Sequence, residues 1–220
     1  MKSVILTKLI FLTLFSILFI QNTYGEATYG TLSEPIIKIM ASKNYRLKMT
    51  TVAIKKIQIE YYQKKDNFAQ KLTQENQSIR IVGKDGFLHY IIDYEKTIVK
   101  VPIEINKIKG LVDAEKISLL STGKARFNGK QRDYDEYTIE SDDDKERKIL
   151  FFVEKEKLVG LRVVEGKTTE DLAIDEFDQR VPSLPFNIPT DYKVREAKVK
   201  ENEDGTMDID VDFDFEDDEE

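Results

Sequence analysis

Residues 77–90 have the sequence QSIRIVGKDGFLHY, in which Gly83-Lys84-Asp85-Gly86 separates two apolar segments. Glycine and aspartate accept the positive φ values that the tight turn of a β-hairpin requires. Apolar and polar side chains alternate in the first segment, as they do in a strand with one buried face. The stretch therefore predicts two antiparallel strands joined by a short turn.

The same period of two continues on both sides of this hairpin. In residues 44–51, Tyr, Leu and Met alternate with basic residues, and residues 57–61 repeat the pattern. Further strands are predicted at residues 68–73, 98–101, 125–127, 134–140, 148–153, 158–164 and 172–177. Because polar, turn-prone connectors separate them at regular intervals, the pattern indicates an up-and-down antiparallel meander.

Two segments have helical spacing instead. Residues 32–42 contain Ser33 as a possible N-cap, Pro35 in the first turn and apolar residues on one helical face. Residues 103–120 also space their apolar residues helically, with a break at Gly110. We therefore predict a mainly β (α+β) fold, a single curved antiparallel meander or half-barrel with a few short helices on its concave face.

Two of the predicted strands are apolar on both faces, namely residues 87–92 and 149–153. A strand in a sheet with one wet face has polar residues at every second position. Two explanations stay open at this point. Either both faces of a curled sheet are covered, or an apolar hollow is left for a ligand.

The first 25 residues have the three parts of a secretory signal peptide. Lys2 and Lys8 precede an apolar stretch at residues 9–20, and a short polar segment ends at Gly25. The stretch is shorter than a membrane-spanning helix needs, so we expect cleavage before Glu26, with an uncleaved anchor as the alternative. The mature protein is then periplasmic or secreted.

The negative charge of the chain is concentrated at its C-terminal end. Residues 196–220 contain thirteen acidic residues and two lysines, a net charge of −11, whereas residues 26–195 carry +2. Such a tail is expected to be disordered. Residues 207–215 alternate apolar and acidic side chains, so strand addition to a sheet edge and weak binding of divalent cations remain alternatives to a solvated tail.

The residue types in the chain limit the kinds of catalytic and metal site that it can form. The chain has no Cys and one His, His89, in an apolar strand where a structural role is typical. Glycine-rich phosphate loops, zinc-peptidase motifs and nucleophile elbows are absent from the sequence. Basic residues are dispersed among acidic ones, which argues against nucleic-acid binding. We expect no catalytic residues, no metal site and no cofactor.

Two stretches resemble a known family. Residues 77–90 are similar to its strand, Asp-Gly turn and aromatic-bearing strand, and residues 177–192, with Val181-Pro182 and Phe186-Asn187-Ile188-Pro189, are similar to its C-terminal ending. The family is the LolA/LolB type of periplasmic lipoprotein carriers and receptors, which has an unclosed-barrel fold. The resemblance covers residues 26 to about 194, which we predict as one domain.

The resemblance implies an acyl chain held between the concave face and helices that act as a lid. Burial of alkyl surface would supply the affinity. The predicted lining residues are Leu47, Met49, Ile59, Tyr61, Phe68, Leu88, Tyr90, Ile92, Phe151 and Leu161. Lys64 and Lys65 occupy the lid region, where the carriers have an Arg-Pro pair, and the chain has no Trp.

Two functions follow as expectations. The first is an exported, non-enzymatic protein that holds or shuttles a lipid acyl chain or a lipoprotein. The second is an extracytoplasmic interaction module whose acidic tail engages a protein partner or divalent cations. Neither requires a reaction step, and neither requires a membrane span after signal cleavage.

Overall fold

The computed structural model describes residues 30–53, 56–65, 67–75, 77–102, 117–139, 147–201 and 207–210. Its elements are α1 (Glu34–Ala41), β1 (Asn44–Thr51), β2 (Gln58–Lys64), β3 (Asn67–Gln74), β4 (Gln77–Lys84), β5 (Phe87–Ile92), β6 (Thr97–Pro102), β7 (Ile117–Phe127), β8 (Lys130–Ile139), β9 (Arg147–Glu154), β10 (Lys157–Glu165), β11 (Thr168–Asp178), a 3₁₀ turn (Leu184–Phe186), β12 (Lys193–Glu196), β13 (Lys198–Glu201) and β14 (Met207–Asp210). The predicted signal peptide lies outside the described residues. The domain limits stay predictions.

Twelve strands form one open sheet in the order β12-β6-β5-β4-β3-β2-β1-β11-β10-β9-β8-β7. From β1 the chain runs outward through successive hairpins to β6, then continues at the opposite edge with β7 and returns inward to β11. There β11 pairs antiparallel with β1 and joins the two halves. The fold class predicted from the sequence, a mainly β open half-barrel, is confirmed, and its central pairing joins strands far apart in the chain.

The hairpin predicted at residues 83–86 is present. Lys84 pairs with Phe87, so Asp85 and Gly86 form a two-residue turn. Both have positive φ, 53° and 79°, as the hairpin turns that match the right-handed twist of paired strands require. The Asp-Gly pair therefore sets the register of β4 and β5.

One face of the sheet carries the main core and packs against α1. We call this the concave face and the opposite one the convex face. Ile36, Ile37 and Met40 of α1 join a buried cluster with inward residues of β1 to β6 and β8 to β11. Ser33, predicted as the N-cap, makes no side-chain capping bond; its hydroxyl instead donates to Asp135 of β8, at 2.7 Å.

The convex face has two smaller cores, and these explain the strands that are apolar on both sides. Residues Val181 to Tyr192 cover a cluster that includes Tyr62, Val82 and Ile91. Phe127, Leu150 and Phe152 form the other cluster. For the convex side, the first of the two explanations, a covered face, is therefore correct.

The helical spacing at the end of residues 103–120 is misleading. Residues 117–120 begin strand β7, while residues 103–116 lie outside the described residues. The register of β7 against β8 shifts between Leu119 and Ser121, and Leu120 is 52% exposed. A bulge of this kind adds one residue and breaks the period of two, so the apolar positions imitate a helix.

Three short strands follow the main body. β12 pairs parallel with β6 at the sheet edge, and β13 pairs antiparallel with β14 in a separate two-stranded sheet. The alternating stretch at residues 207–210 thus pairs within its own chain. Disorder of the tail as a whole stays a prediction. In the described part of the chain, no helix is long and apolar enough to span a bilayer.

Candidate functional site

The register of the first six strands arranges inward side chains in straight rows across the concave face. One row runs from Leu47 through Tyr61, Gln70, Ile81 and Tyr90, with each residue opposite the next. Facing residues in antiparallel strands have Cβ atoms about 5 Å apart. The row is therefore a continuous surface across five strands.

Two parallel rows flank it. One consists of Met49, Ile59, Leu72, Ile79 and Ile92, and the other of Tyr45, Gln63, Phe68, Gly83 and Leu88. Eight of the ten predicted lining residues lie in these three rows. The remaining two, Phe151 and Leu161, face each other across β9 and β10 in the other half of the sheet. The structure thus brings the predicted residues onto one face, in two groups.

Most of this surface is tightly buried. Eight of the ten predicted residues are at most 8% exposed, and all eight belong to the main core. Tyr90 and Ile92, both on β5, are half-buried. Burial raises the pKa of the Tyr90 phenol above its ordinary value. Tyr90 and Ile92 are therefore the most accessible of the ten predicted residues. The ligand role of all ten stays a prediction.

Two buried glutamines also lie on this face, and sequence reasoning overlooked both. Gln63 and Gln70 are each 1% exposed. The Tyr61 hydroxyl donates to Gln63 Oε1, and Gln63 Nε2 donates to the Lys65 carbonyl. Burial raises the pKa of the Tyr61 phenol well above its ordinary value. The signal was available: in β3, positions 68 and 72 are apolar and inward, so position 70 is inward too.

The predicted lid residues, Lys64 and Lys65, are exposed at the β2–β3 turn. The Lys65 N–H donates to the Lys43 carbonyl, 2.8 Å away, just after α1 ends. The turn is thereby attached to the C-terminal end of the helix. A lid function for these lysines stays a prediction.

The convex face has a cleft of about 530 Å³ that was not predicted. Its walls include Tyr62, Lys71 and Arg80 of the sheet and the residues that follow Leu184. Arg80 Nη2 and Nε donate to the Asp93 carboxylate at 2.9 and 3.1 Å. These bonds hold the pKa of the Asp93 carboxyl below its ordinary value. The ion pair fixes one wall of the cleft.

His89 packs against its neighbouring strand. His89 Nδ1 lies 3.2 Å from the Val82 carbonyl oxygen on the neighbouring strand, and its ring meets that of Phe87 edge-on. The described residues contain no group of three or more His, Cys, Asp or Glu that could hold a metal ion. The acidic turn at residues 142–144 lies outside them.

One comparison with a solved structure supports the fold. An uncharacterised conserved protein from Thermus thermophilus matches with a TM-score of 0.51 and 10% identity, over 76% of this chain and 99% of that chain. MucB of Pseudomonas aeruginosa, solved in complex with MucA, matches with a TM-score of 0.39 and 10% identity, over 75% and 63%. A structure of MucB by itself gives 0.38 and 9%, over 75% and 66%. No protein-family model matches the sequence, and no curated protein does. The first likeness shows the fold alone.

Proposed function

We propose that this chain is an exported, non-enzymatic binding protein that holds an acyl chain against the concave face. The observation that supports the proposal is the set of three adjacent rows across β1 to β5, which becomes accessible at Tyr90 and Ile92. At that end of the rows, Ile79, Tyr90 and Ile92 are half-buried and offer an alkyl chain an apolar surface. Its affinity would come from roughly 0.8 kcal/mol for each methylene group removed from water.

The helix is small compared with the face that it covers. An eight-residue helix such as α1 is about 12 Å long, whereas five strands spaced ~4.8 Å apart span about 19 Å between the outer two. Among the strands, α1 makes its main contacts with β1. Tyr90 and Ile92 on β5 therefore lie beyond the main contacts of the helix, and this is where we place the opening for the ligand.

Export rests on the sequence of the first 25 residues. Cleavage before Glu26 would release a periplasmic or secreted protein. N-terminal sequencing of the exported protein tests this step directly, because a chain that still starts at Met1 would contradict it. The proposal of a soluble carrier requires the cleaved form.

A charge at the opening should block ligand binding. We expect Ile92→Asp to weaken binding of a fluorescent fatty-acid analogue at least tenfold, because an ionised carboxylate in an apolar site loses hydration without gaining a partner. Ile92 is half-buried, so the variant should still fold. Fluorescence titration of the purified protein measures the effect, and native mass spectrometry identifies acyl species that copurify.

Ser78→Asp is the matched control. Ser78 lies on β4 beside Ile79, the residue opposite Ile92, and by alternation it points to the convex face. The same added charge should therefore leave the affinity unchanged. The proposal fails if the wild-type protein binds no probe and carries no acyl species, or if the two variants behave alike.

The acidic tail supports a second proposal, an interaction with a basic protein partner. Its first residues are held in place, since the Ala197 N–H donates to the Lys100 carbonyl at 2.9 Å and Ala197 is 6% exposed. The strongly negative remainder thus starts from a fixed point at the sheet edge. Residues 211–220 and any cation site there lie outside the described residues.

A shortened chain tests this second proposal. We expect a chain ending at Glu201 to lose salt-sensitive binding to a basic partner, because eleven of the thirteen tail acids lie beyond that point. Crosslinking and pull-down from the exported fraction measure the loss, and calcium titration of both chains tests the cation alternative. Undiminished capture by the shortened chain would contradict a tail-mediated interaction.

A further inference from the structure

The central row of the concave face contains a buried polar side chain without a hydrogen-bond partner in the described part of the chain. Gln70 lies between Tyr61 and Ile81 in the row and is 1% exposed. Neither Nε2 nor Oε1 of its amide has a hydrogen-bond partner among the described residues. A donor and an acceptor are therefore both buried and unused at the centre of the proposed binding surface.

Two other polar side chains on this face, Tyr61 and Gln63, are already engaged with each other. The Tyr61 hydroxyl donates to Gln63, and the Gln63 amide donates to the Lys65 carbonyl. Gln63 and Gln70 are on the same face and are equally buried. One of them belongs to a hydrogen-bonded chain that ends at the β2–β3 turn, and the other does not.

An amide in this position is costly unless something binds it. Burying an unpaired amide group is unfavourable, and an apolar residue of similar size would avoid the cost. Local rules of this kind are typically broken at functional sites. The cost of Gln70 is therefore understandable if its amide is used when a ligand is present.

The chemistry of the amide indicates the ligand. A primary amide offers N–H donors and a carbonyl acceptor side by side. An amide group in the ligand matches both, an ester supplies only an acceptor, and a plain alkyl chain supplies neither. We infer, on the basis of the proposed acyl-binding function, that Gln70 binds the head of the ligand and that the preferred ligand is an acyl chain carrying an amide.

Competition between two probes of equal chain length tests the inference. Dodecanamide and methyl dodecanoate are each used to displace the fluorescent fatty-acid analogue from the full mature chain. Dodecanamide should displace it at a roughly tenfold lower concentration, since it satisfies the Gln70 donor and acceptor together. In Gln70→Leu, the two probes should become equal, while the thermal midpoint stays the same or rises.

Gln63→Leu is the matched control. It breaks a satisfied hydrogen-bonded chain, so it should lower the thermal midpoint and keep the preference for the amide. Equal displacement by both probes in the wild-type protein overturns the inference but leaves the proposed function standing. If no probe binds, both are overturned. A preference that survives in Gln70→Leu, or a thermal midpoint lowered by that variant, overturns the assignment to Gln70.

Discussion

Phe151→Ala is expected to lower the free energy of unfolding by about 3–5 kcal/mol, the usual cost of truncating a buried phenylalanine to alanine. Phe151 is 1% exposed, and its ring meets that of Tyr137 edge-on, with centroids 5.5 Å apart. It also faces Leu161, which is fully buried. Because small domains are stable by roughly 5–15 kcal/mol, this single change should remove a large part of the total.

Urea denaturation followed by circular dichroism measures the change. Tyr94→Ala is the control, because Tyr94 is 57% exposed in the turn between β5 and β6; its effect should stay within about 0.5 kcal/mol. Should Phe151→Ala prove too unstable to purify, Phe151→Leu keeps most of the side-chain volume and is expected to cost about 1.5 kcal/mol.

The result also separates two interpretations of the β9–β10 half of the concave face. If Phe151 lines an open hollow, its ring is solvated when no ligand is bound, and truncation leaves no new cavity. The loss would then be about 1 kcal/mol. A value that small would contradict the packed core and would extend the proposed binding surface into this half of the sheet.

Local features were predictable from the sequence, because the residues that determine them are neighbours in the chain. The Asp85-Gly86 turn fixed the β4–β5 hairpin, and strict alternation identified the inward residues of β1 and β2. The pairing of β1 with β11, which joins the two halves of the sheet, was not predictable. It depends on Leu47 facing Phe177, and no local pattern connects residues so far apart.

The packing of side chains around Gly160 was not predictable from the sequence either. In the sequence, Gly160 is an unexplained glycine within a strand. In the structure the Phe127 ring lies over it, and a Cβ atom at this position would be 2.2 Å from the ring. The candidate site has the same limit. Alternation was enough to place Tyr61 and Ile59 on one face. The missing partner of Gln70 was not predictable, because it depends on where the Tyr61 hydroxyl points.

Asp135→Ala is expected to lower the free energy of unfolding by about 2 kcal/mol and to detach the start of α1, because it leaves buried donors without an acceptor. Asp135 Oδ2 accepts from the Ser33 N–H at 2.8 Å and from the Ser33 hydroxyl at 2.7 Å. Both residues are fully buried. The Gly30 N–H donates to the Tyr137 hydroxyl at 2.9 Å, so β8 holds this segment at two points.

These bonds tie together strands that are distant in the sheet. β8 holds the residues before α1, and among the strands α1 makes its main contacts with β1. In the sheet order, β9, β10 and β11 separate β1 from β8. The segment from Gly30 to the end of α1 is therefore a strut across the concave face. If it is released, the two halves of the open sheet lose a connection that does not run through strand pairing.

Hydrogen exchange of the Glu34–Ala41 amides distinguishes this strut from a general loss of stability. Asp135→Ala should speed exchange in α1 more than in β4 and β5, while Asp135→Asn, which keeps an acceptor for Ser33, should fall in between. Asp133→Ala is the control from the same strand: Asp133 pairs with Lys124 at 3.5 Å and is half exposed, so its loss should cost less than about 1 kcal/mol. Equal exchange in α1 for the Asp135 and Asp133 variants would contradict the strut, because the helix would then be held by its apolar face alone.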